Sequence, residues 1–279
     1  MQYGPSPFSD NTPRELRKMD TCALYFDIGN TNTKIGLRGK GKGFVTYVLP
    51  SGEHLTPDAF GLSLVSILRR EGYEPAAVGY CLASSVVPEM DQIVSAACAR
   101  FFPVPLLFSP GDLSVPLENR YARPHEVGAD RLVGSYAARV LFPDTPSIIS
   151  IDFGTATTFD CVEENAYLGG LICPGVFSSV AALASGTAKL PRINLVVEKA
   201  HPEPGLSTST SLSHGFVFGF AAMAEGLSAR LGATLKGPVA IVGTGGFADP
   251  LSRVTNCFSA VQPDLVLHGL RLLHDLQRV

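Results

Sequence analysis

The chain has 279 residues, of which 46% are hydrophobic and 17% are charged, and this composition excludes an intrinsically disordered protein. Its formal net charge of −3 lacks the basic excess that nucleic-acid binding normally requires, so we expect no nucleic-acid partner. The sequence contains no apolar run of about 18 residues, the length that spans a bilayer, so we predict no membrane partner.

The N-terminal segment differs in composition from the rest of the chain. Residues 1–18 are rich in Pro, Ser, Asp and Arg, so we expect a disordered extension there, and they contain no apolar signal-peptide core. The six cysteines are scattered, without a CxxC pair or a histidine at metal-ligand spacing. We expect them to be small buried apolar residues, which makes the cytoplasm the simplest compartment.

Residues 19–143 begin with three predicted strands and continue with alternating helices and strands. The strands are predicted at 22–27, 33–38 and 44–49, and the glycine-rich run at 39–43 supplies the turn between the last two. Apolar periodicity predicts the elements that follow. They are a helix at 56–68, a strand at 78–83, a helix at 88–101, a strand at 104–108 and a helix at 132–141.

Residues 144–279 repeat this order. The predicted elements are strands at 147–152, 157–162 and 166–172, a helix at 212–227, a strand at 239–242 and a closing helix at 265–276. Two halves with the same order predict a duplicated ribonuclease-H-like fold of the α/β class. We therefore expect an N-terminal lobe at 19–143 and a C-terminal lobe at 144–279, each with a mixed five-stranded sheet flanked by helices.

A short acidic, glycine-containing motif occurs once in each half, where the first strand meets the second. The two copies share Asp, Gly and Thr at relative positions 0, +2 and +6, and they read Asp27-Ile28-Gly29-Asn30-Thr31-Asn32-Thr33 and Asp152-Phe153-Gly154-Thr155-Ala156-Thr157-Thr158. Glycine allows the backbone to approach an anion closely, threonine adds donors, and the aspartate can hold a cation that bridges phosphates. Each copy alone could be an ordinary hairpin turn, but equivalent placement in two matching halves favours a phosphate clamp.

A third glycine-rich segment follows the strand at 239–242 and reads Gly243-Thr244-Gly245-Gly246. Its position before a short helix suits contact with a nucleotide, although an ordinary strand-to-helix turn has the same pattern. The sequence contains no GxxxxGK[ST], so a P-loop is excluded.

Phosphate transfer to an alcohol requires a carboxylate that orients the hydroxyl and accepts its proton. Asp130, at the start of a helix between the halves, is the predicted base, and Arg131 could pair with a substrate carboxylate. The alternative is a helix N-terminal acid beside a surface ion pair. His125 and Glu126 compete as base.

Three other ionisable residues could each be structural or solvent-exposed rather than functional. Asp160 and Glu225 are typical of solvated or structural acids. Lys34 either contacts phosphate or is an exposed strand lysine.

At these residues the chain resembles the type III pantothenate kinases, in family order over nearly the whole chain outside the extension. The matching segments are DIGNTNTKIGL at 27–37, SSVVP at 84–88, EVGADRLVGSYAA at 126–138, IDFGTATTFD at 151–160, LGGLICPGV at 168–176, TAKLP at 187–191 and GTGG at 243–246. The chain departs from the family in having no Trp and in Leu206, where a basic residue is common.

The resemblance implies a homodimeric actin-like ATPase fold that phosphorylates pantothenate with ATP, Mg²⁺ or another divalent ion, and a monovalent cation, K⁺ or NH₄⁺. Asp130 would be the proton acceptor and Asp152 the ligand of the monovalent cation. The implied ATP-binding residues are Asp27, Ile28, Gly29, Asn30, Thr31, Asn32, Thr33, Lys34 and Thr155. The implied pantothenate-binding residues are Tyr121, Gly128, Ala129, Asp130, Arg131 and Thr208, with Thr210 as an alternative to Thr208.

Two other functions would use the same phosphate loops. One is a related actin-like kinase or phosphatase acting on a sugar, acetate or polyphosphate. The other is a catalytically inactive accessory factor for transcription.

Overall fold

The computed structural model describes residues 21–39, 44–52, 55–186, 191, 193–197 and 200–277. The predicted extension at 1–18, all but the first residue of the turn at 39–43, and residues 187–190 of the TAKLP segment lie outside the described residues. No helix among the described residues is long and apolar enough to cross a membrane.

The first sheet has five strands in the order β3-β2-β1-β4-β5. β1 pairs antiparallel with β2 and parallel with β4. The strands are β1 (Cys22–Ile28), β2 (Asn32–Gly39), β3 (Phe44–Pro50), β4 (Val78–Ser85) and β5 (Leu106–Phe108). Because side chains alternate across a strand, Leu24 and Phe26 pack in one core and Tyr25 packs in another on the opposite face.

Helices α1 (Pro57–Arg70) and α2 (Pro88–Phe101) cover one face of this sheet. The side chain of Thr56 caps α1 by accepting the backbone N–H of Ala59, and Pro57 follows in the first turn, as the sequence predicts.

The second sheet has six strands, one more than predicted, in the order β11-β10-β7-β8-β9-β6. The two-residue strands β6 and β11 have no counterpart among the predicted strands, and β6 (Glu118–Asn119) comes from the first half of the chain to pair with β9. Two residues are too few to carry a strand pattern, so the sequence does not indicate either of them. The other five strands are β7 (Ser147–Phe153), β8 (Ala156–Glu163), β9 (Ala166–Pro174), β10 (Val239–Thr244) and β11 (Ala260–Val261).

Helices α4 (Val176–Ser185), α5 (Thr208–Gly232) and α6 (Ala248–Ser252) belong to the second half. The predicted helix at 212–227 is correct but begins earlier, because Ser207 and Thr210 form a reciprocal capping box at its start. The sequence analysis did not predict α4.

Two helices pack between the sheets: α3 (Ala129–Leu141) and α7 (Leu265–Leu276). They contact each other, α3 contacts β4, β7 and β8, and α7 contacts β1, β2 and β4. The C-terminal helix of the chain therefore packs on the first sheet. The division into lobes at 19–143 and 144–279 remains a proposal about independent units.

Candidate active site

A cleft of about 640 Å³ lies between the two halves. Both acidic hairpins, the start of α3, the GTGG segment and the start of α7 contribute to its walls. The lining residues predicted from the sequence are Asp27, Gly29, Asn30, Thr31, Asn32, Lys34, Asp130, Arg131, Asp152, Thr155, Thr244, Gly245 and Gly246.

The two acidic loops meet across this cleft. Each is a hairpin turn closed by one backbone hydrogen bond of 3.0 Å, from Gly29 N to Asn32 O in the first and from Gly154 N to Ala156 O in the second. The hydroxyl oxygens of Thr31 and Thr155 lie 3.0 Å apart, so a side-chain hydrogen bond joins the loops. The repeated motif therefore forms one composite site from two distant segments.

The aspartates of the two loops are half-buried at the strand ends. Burial raises the pKa of Asp27 to about 7, against the opposing charge of Lys34 and with added repulsion from Asp152 and Asp130. Burial likewise raises the pKa of Asp152 to about 6. Carboxylates that repel one another in a low-dielectric site favour a bound cation, so this donor set fits a metal ion that accompanies phosphates.

Among the described residues, no three His, Cys, Asp or Glu side chains converge closely enough to hold a metal ion by themselves. A cation bound to a nucleotide takes several ligands from phosphate oxygens and water, for which two protein carboxylates are an ordinary complement.

Lys34 is not a freely exposed strand lysine. Its ammonium donates to the Pro263 carbonyl at 2.8 Å and lies 3.5 Å from a carboxylate oxygen of Asp264. The Thr244 hydroxyl also donates to the Pro263 carbonyl, at 3.4 Å. The Pro263 carbonyl, just before α7, therefore links Lys34 on β2 of the first sheet to Thr244 in the GTGG segment of the second.

Asp130 is the second residue of α3 and faces the cleft. Its Oδ1 accepts the backbone N–H of Arg131 at 2.7 Å. Burial raises its pKa, while the same hydrogen bond lowers it. A carboxylate with a raised pKa accepts a proton from an alcohol more readily than one at its ordinary pKa.

Gly128, just before Asp130, leaves room for this carboxylate. A Cβ at Gly128 would stand 2.5 Å from Asp130 Oδ1, although the φ of −57° at this position suits alanine. We expect Gly128→Ala to lower kcat by about 10–100-fold with an unchanged melting temperature, because the methyl group displaces the carboxylate rather than straining the backbone. Steady-state kinetics with circular-dichroism melting checks this. Unchanged kcat would show that the position of the carboxylate is not critical.

Arg131 forms a buried ion pair, not a surface pair. Its Nε donates to Asp160 Oδ1 at 2.8 Å and its Nη2 lies 2.7 Å from the same oxygen. Asp160 lines the cleft and is 3% exposed, so it is not solvated. The sequence offered one signal for this pair: an acid within the apolar strand predicted at 157–162. A buried carboxylate requires a partner, so this pattern indicates an ion pair.

The competing bases lie elsewhere. His125 is exposed in a short 3₁₀ turn, and Glu126 pairs with Arg123 at 2.8 Å; neither lines the cleft. Glu225 accepts a hydrogen bond from the Thr255 hydroxyl at 2.5 Å, which agrees with a structural role.

Several residues implied by the resemblance lie outside the cleft lining. Ile28 and Thr33 are buried, and the Thr33 hydroxyl is 2.9 Å from Ser51 Oγ. Tyr121 packs against Tyr167 with ring centroids 6.4 Å apart. The remaining three are Gly128 and Ala129 at the start of α3 and Thr208 at the start of α5. Thr210 is engaged in the cap of α5 through Ser207.

Gly245 is required where the GTGG segment approaches the second acidic loop. Its φ is +86°, and a Cβ there would overlap Asp152 Oδ1 and the Phe153 backbone. Only glycine fits this combination of backbone conformation and contact. The third glycine-rich segment thus packs directly against the Asp152 side chain.

Phosphotransferases of the actin-like ATPase superfamily are the class that this fold and cleft define, because their two sheets bring one phosphate loop each to a shared cleft. A model of the type III pantothenate kinase family matches residues 23–230. The chain belongs to this family, whose members phosphorylate pantothenate with ATP in coenzyme A biosynthesis.

Individual relatives agree with the family model. A type III pantothenate kinase of Nitratidesulfovibrio vulgaris (strain DSM 19637 / Miyazaki F) is 59% identical over 251 residues, which cover 90% of this chain and 96% of the relative. The type III pantothenate kinase of Lawsonia intracellularis is 47% identical over 262 residues, covering 91% of this chain and 96% of the relative.

Solved structures with low identity support the fold. A ROK family glucokinase from Streptomyces griseus, in complex with glucose and AMPPNP, has a TM-score of 0.50 at 15% identity and covers 91% of this chain and 99% of its own. A Campylobacter jejuni protein described as a candidate Baf family transcriptional activator has a TM-score of 0.56 at 16% identity, covering 91% and 98%.

Proposed function

We propose that this chain transfers the γ-phosphate of ATP to the hydroxyl of pantothenate and forms 4′-phosphopantothenate. The observation that carries the proposal is the Asp130 carboxylate, half-buried in a cleft to which both acidic loops contribute. Membership of the type III pantothenate kinase family indicates that pantothenate is the acceptor. The position of this carboxylate beside the two acidic loops supports a base next to a phosphate site, as transfer to an alcohol requires.

The nucleotide would bind along residues 27–34 and at Thr155. Gly29 and Gly154 let the backbone approach the phosphates, and the Thr31 and Thr155 hydroxyls, now 3.0 Å apart, would turn to phosphate oxygens. Ile28 and Thr33 would act from within the fold by holding the first hairpin. Lys34 adds a positive charge for the phosphates from its position beside Pro263 and Asp264.

Asp27 and Asp152 are the residues that would hold cations, with Asp152 assigned to the monovalent ion. A divalent ion such as Mg²⁺ would neutralise the charge that develops on the phosphates during transfer. Asp130 would orient the pantothenate hydroxyl and take its proton. Its half-buried, hydrogen-bonded position keeps it ordered for this role.

The pantothenate site would combine Tyr121, Gly128, Ala129, Arg131 and Thr208. Arg131 is the only cation in this set, and its guanidinium suits the substrate's carboxylate. Thr208 is preferred to Thr210, because the capping box already uses the Thr210 hydroxyl.

An assay of ADP release tests the proposal, with pantothenate compared against sugars, acetate and polyphosphate. We expect turnover with pantothenate only. Turnover with another acceptor instead of pantothenate would show that the chain is a different kinase or phosphatase of the actin-like fold. Nucleotide binding without turnover of any acceptor would favour a non-catalytic accessory role.

The monovalent cation gives a separate prediction. If Asp152 ligates K⁺ or NH₄⁺, replacing K⁺ by Na⁺ at constant ionic strength should lower kcat/KM by about tenfold or more, because the smaller ion fits a preformed site poorly. Rates are compared in the chloride salts, and Asp152→Asn should abolish the difference. Equal rates in K⁺ and Na⁺ for the unmodified chain would contradict the assignment.

We also propose a homodimer in the cytoplasm, where ATP and the substrate are available. Large apolar side chains that are exposed in the second half, namely Leu183, Val196 and Leu206, are candidates for its interface. Sedimentation equilibrium should give twice the chain mass of 29.5 kDa. A mass of one chain at micromolar concentration would contradict the dimer.

A further inference from the structure

Asp160 lies at the centre of a buried polar cluster behind the cleft. Its Oδ1 accepts the Tyr167 hydroxyl at 2.8 Å in addition to the Arg131 guanidinium, and its Oδ2 accepts the Thr158 hydroxyl at 3.2 Å. Asp160 is 3% exposed and Tyr167 is fully buried. Burial raises the pKa of Asp160, whereas Arg131 and Tyr167 lower it. The cluster therefore holds Asp160 through three side chains, although Arg131 Nη2 lies near Asp160 Oδ1 without a hydrogen bond of its own.

The same cluster reaches Tyr121. The rings of Tyr167 and Tyr121 are tilted by 48° at a centroid distance of 6.4 Å. A Cβ at Gly169, whose φ is +118°, would stand 3.1 Å from the Tyr121 ring, so glycine permits this packing. Tyr167 thus contacts both Asp160, which holds Arg131, and Tyr121, and Arg131 and Tyr121 both belong to the proposed pantothenate site.

The guanidinium of Arg131 has two edges that can bind a carboxylate. Asp160 occupies the edge formed by Nε and Nη2. Among the described residues, no hydrogen bond is made by Nη1. A fixed guanidinium with one end unused presents donors in a defined direction, which a planar carboxylate can match.

We infer that Asp160 and Tyr167 are positioning residues for substrate recognition: they fix the guanidinium of Arg131 so that its unused end meets the carboxylate of pantothenate. This inference rests on the proposed function. Neither residue touches the reacting atoms. Tyr167 acts by holding Asp160, and Asp160 acts by holding Arg131, so the contribution concerns affinity and carboxylate selectivity rather than the transfer step.

Tyr167→Phe tests the inference without changing any charge. It removes one hydrogen bond to a carboxylate and keeps the ring that packs on Tyr121. We expect the KM for pantothenate to rise about three- to tenfold, with kcat and the KM for ATP within twofold of the unmodified chain. The primary-alcohol analogue of pantothenate, in which CH₂OH replaces the carboxylate, should keep its kcat/KM.

Tyr47→Phe is the matched control, because it removes the same kind of bond, from a tyrosine hydroxyl to Glu71 Oε1 at 2.6 Å, and neither residue lines the cleft. It should leave the KM for pantothenate unchanged. A double-mutant cycle with Arg131→Lys tests the route of action. If Tyr167 acts through the guanidinium, Tyr167→Phe should change KM by less than about twofold in the Arg131→Lys background.

The outcomes separate the two proposals. A Tyr167→Phe chain with normal pantothenate KM, an equal loss for the neutral analogue, or the same KM increase in the Arg131→Lys background would each overturn the positioning role. No turnover of pantothenate by the unmodified chain would instead overturn the proposed function, and the inference with it. Thr158→Val, which releases the second oxygen of Asp160, should shift pantothenate KM in the same direction if Tyr167→Phe proves unstable.

Discussion

Asp130→Asn is expected to lower kcat by about 10²–10⁴-fold, the range that a positioned general base contributes. Asparagine retains the shape and an acceptor for the Arg131 N–H, but it cannot take the proton of the substrate hydroxyl. Single-turnover measurement with saturating ATP and pantothenate isolates the transfer step from product release. The KM for ATP should change little, because the two acidic loops proposed to bind ATP are intact.

The controls come from the competing bases. Glu126→Gln removes a surface partner of Arg123 and should leave kcat within twofold. Asp130→Asn should melt at or above the temperature of the unmodified chain, because the folded state loses a half-buried carboxylate whose pKa is raised. Near-normal turnover of Asp130→Asn would remove Asp130 from the role of base, whatever the substrate.

Asp27→Asn is expected to move activity and stability in opposite directions. Loss of the carboxylate should lower kcat/KM by roughly 10²–10³-fold, since the cation and phosphates lose a charged partner. The ligand-free chain should gain roughly 1–4 kcal/mol, because burial and the neighbouring acids raise the pKa of Asp27 from 3.8 to about 7.

The sign of the pH dependence follows from this raised pKa. Between about pH 4 and pH 7 the folded chain keeps a proton on Asp27 that the unfolded chain has lost. The contribution of protonated Asp27 to the free energy of unfolding is fully present below about pH 4 and is lost as the pH rises through about 7. The melting-temperature gain of Asp27→Asn should therefore grow between pH 5 and about pH 7 and then level off.

A matched aspartate separates this effect from the general loss of a charge. Both carboxylate oxygens of Asp275 accept hydrogen bonds from Arg38, at 2.7 and 2.9 Å. Arg38 lies on β2 with Lys34, and Asp275 lies on α7, which Asp264 precedes. Asp275→Asn should lower the melting temperature slightly, because the pair is partly exposed, and leave activity unchanged. If Asp27→Asn instead destabilises the ligand-free chain, the acidic cleft is not a source of repulsion in the folded state.

Local pattern determined the elements and their repetition. Apolar periodicity and turn residues identified four of the six strands of the second sheet, and the two copies of Asp, Gly and Thr indicated the paired loops before any contact was known. These features are visible in sequence because strand alternation, helix periodicity and turn chemistry depend on near neighbours. The position of Asp130 at the start of a helix was predicted for the same reason.

Packing between distant segments decided the rest. The Thr31–Thr155 contact, the pairing of Arg131 with Asp160, the anchoring of Lys34 at Pro263 and the two-residue strand β6 join segments far apart in the chain. Sequence alone leaves Asp160 either a solvated or a structural acid and Lys34 either a phosphate contact or an exposed lysine, because the partner of a charged side chain is set by the tertiary fold. Only the folded chain brings these charges into one low-dielectric cleft, where burial gives them their chemistry.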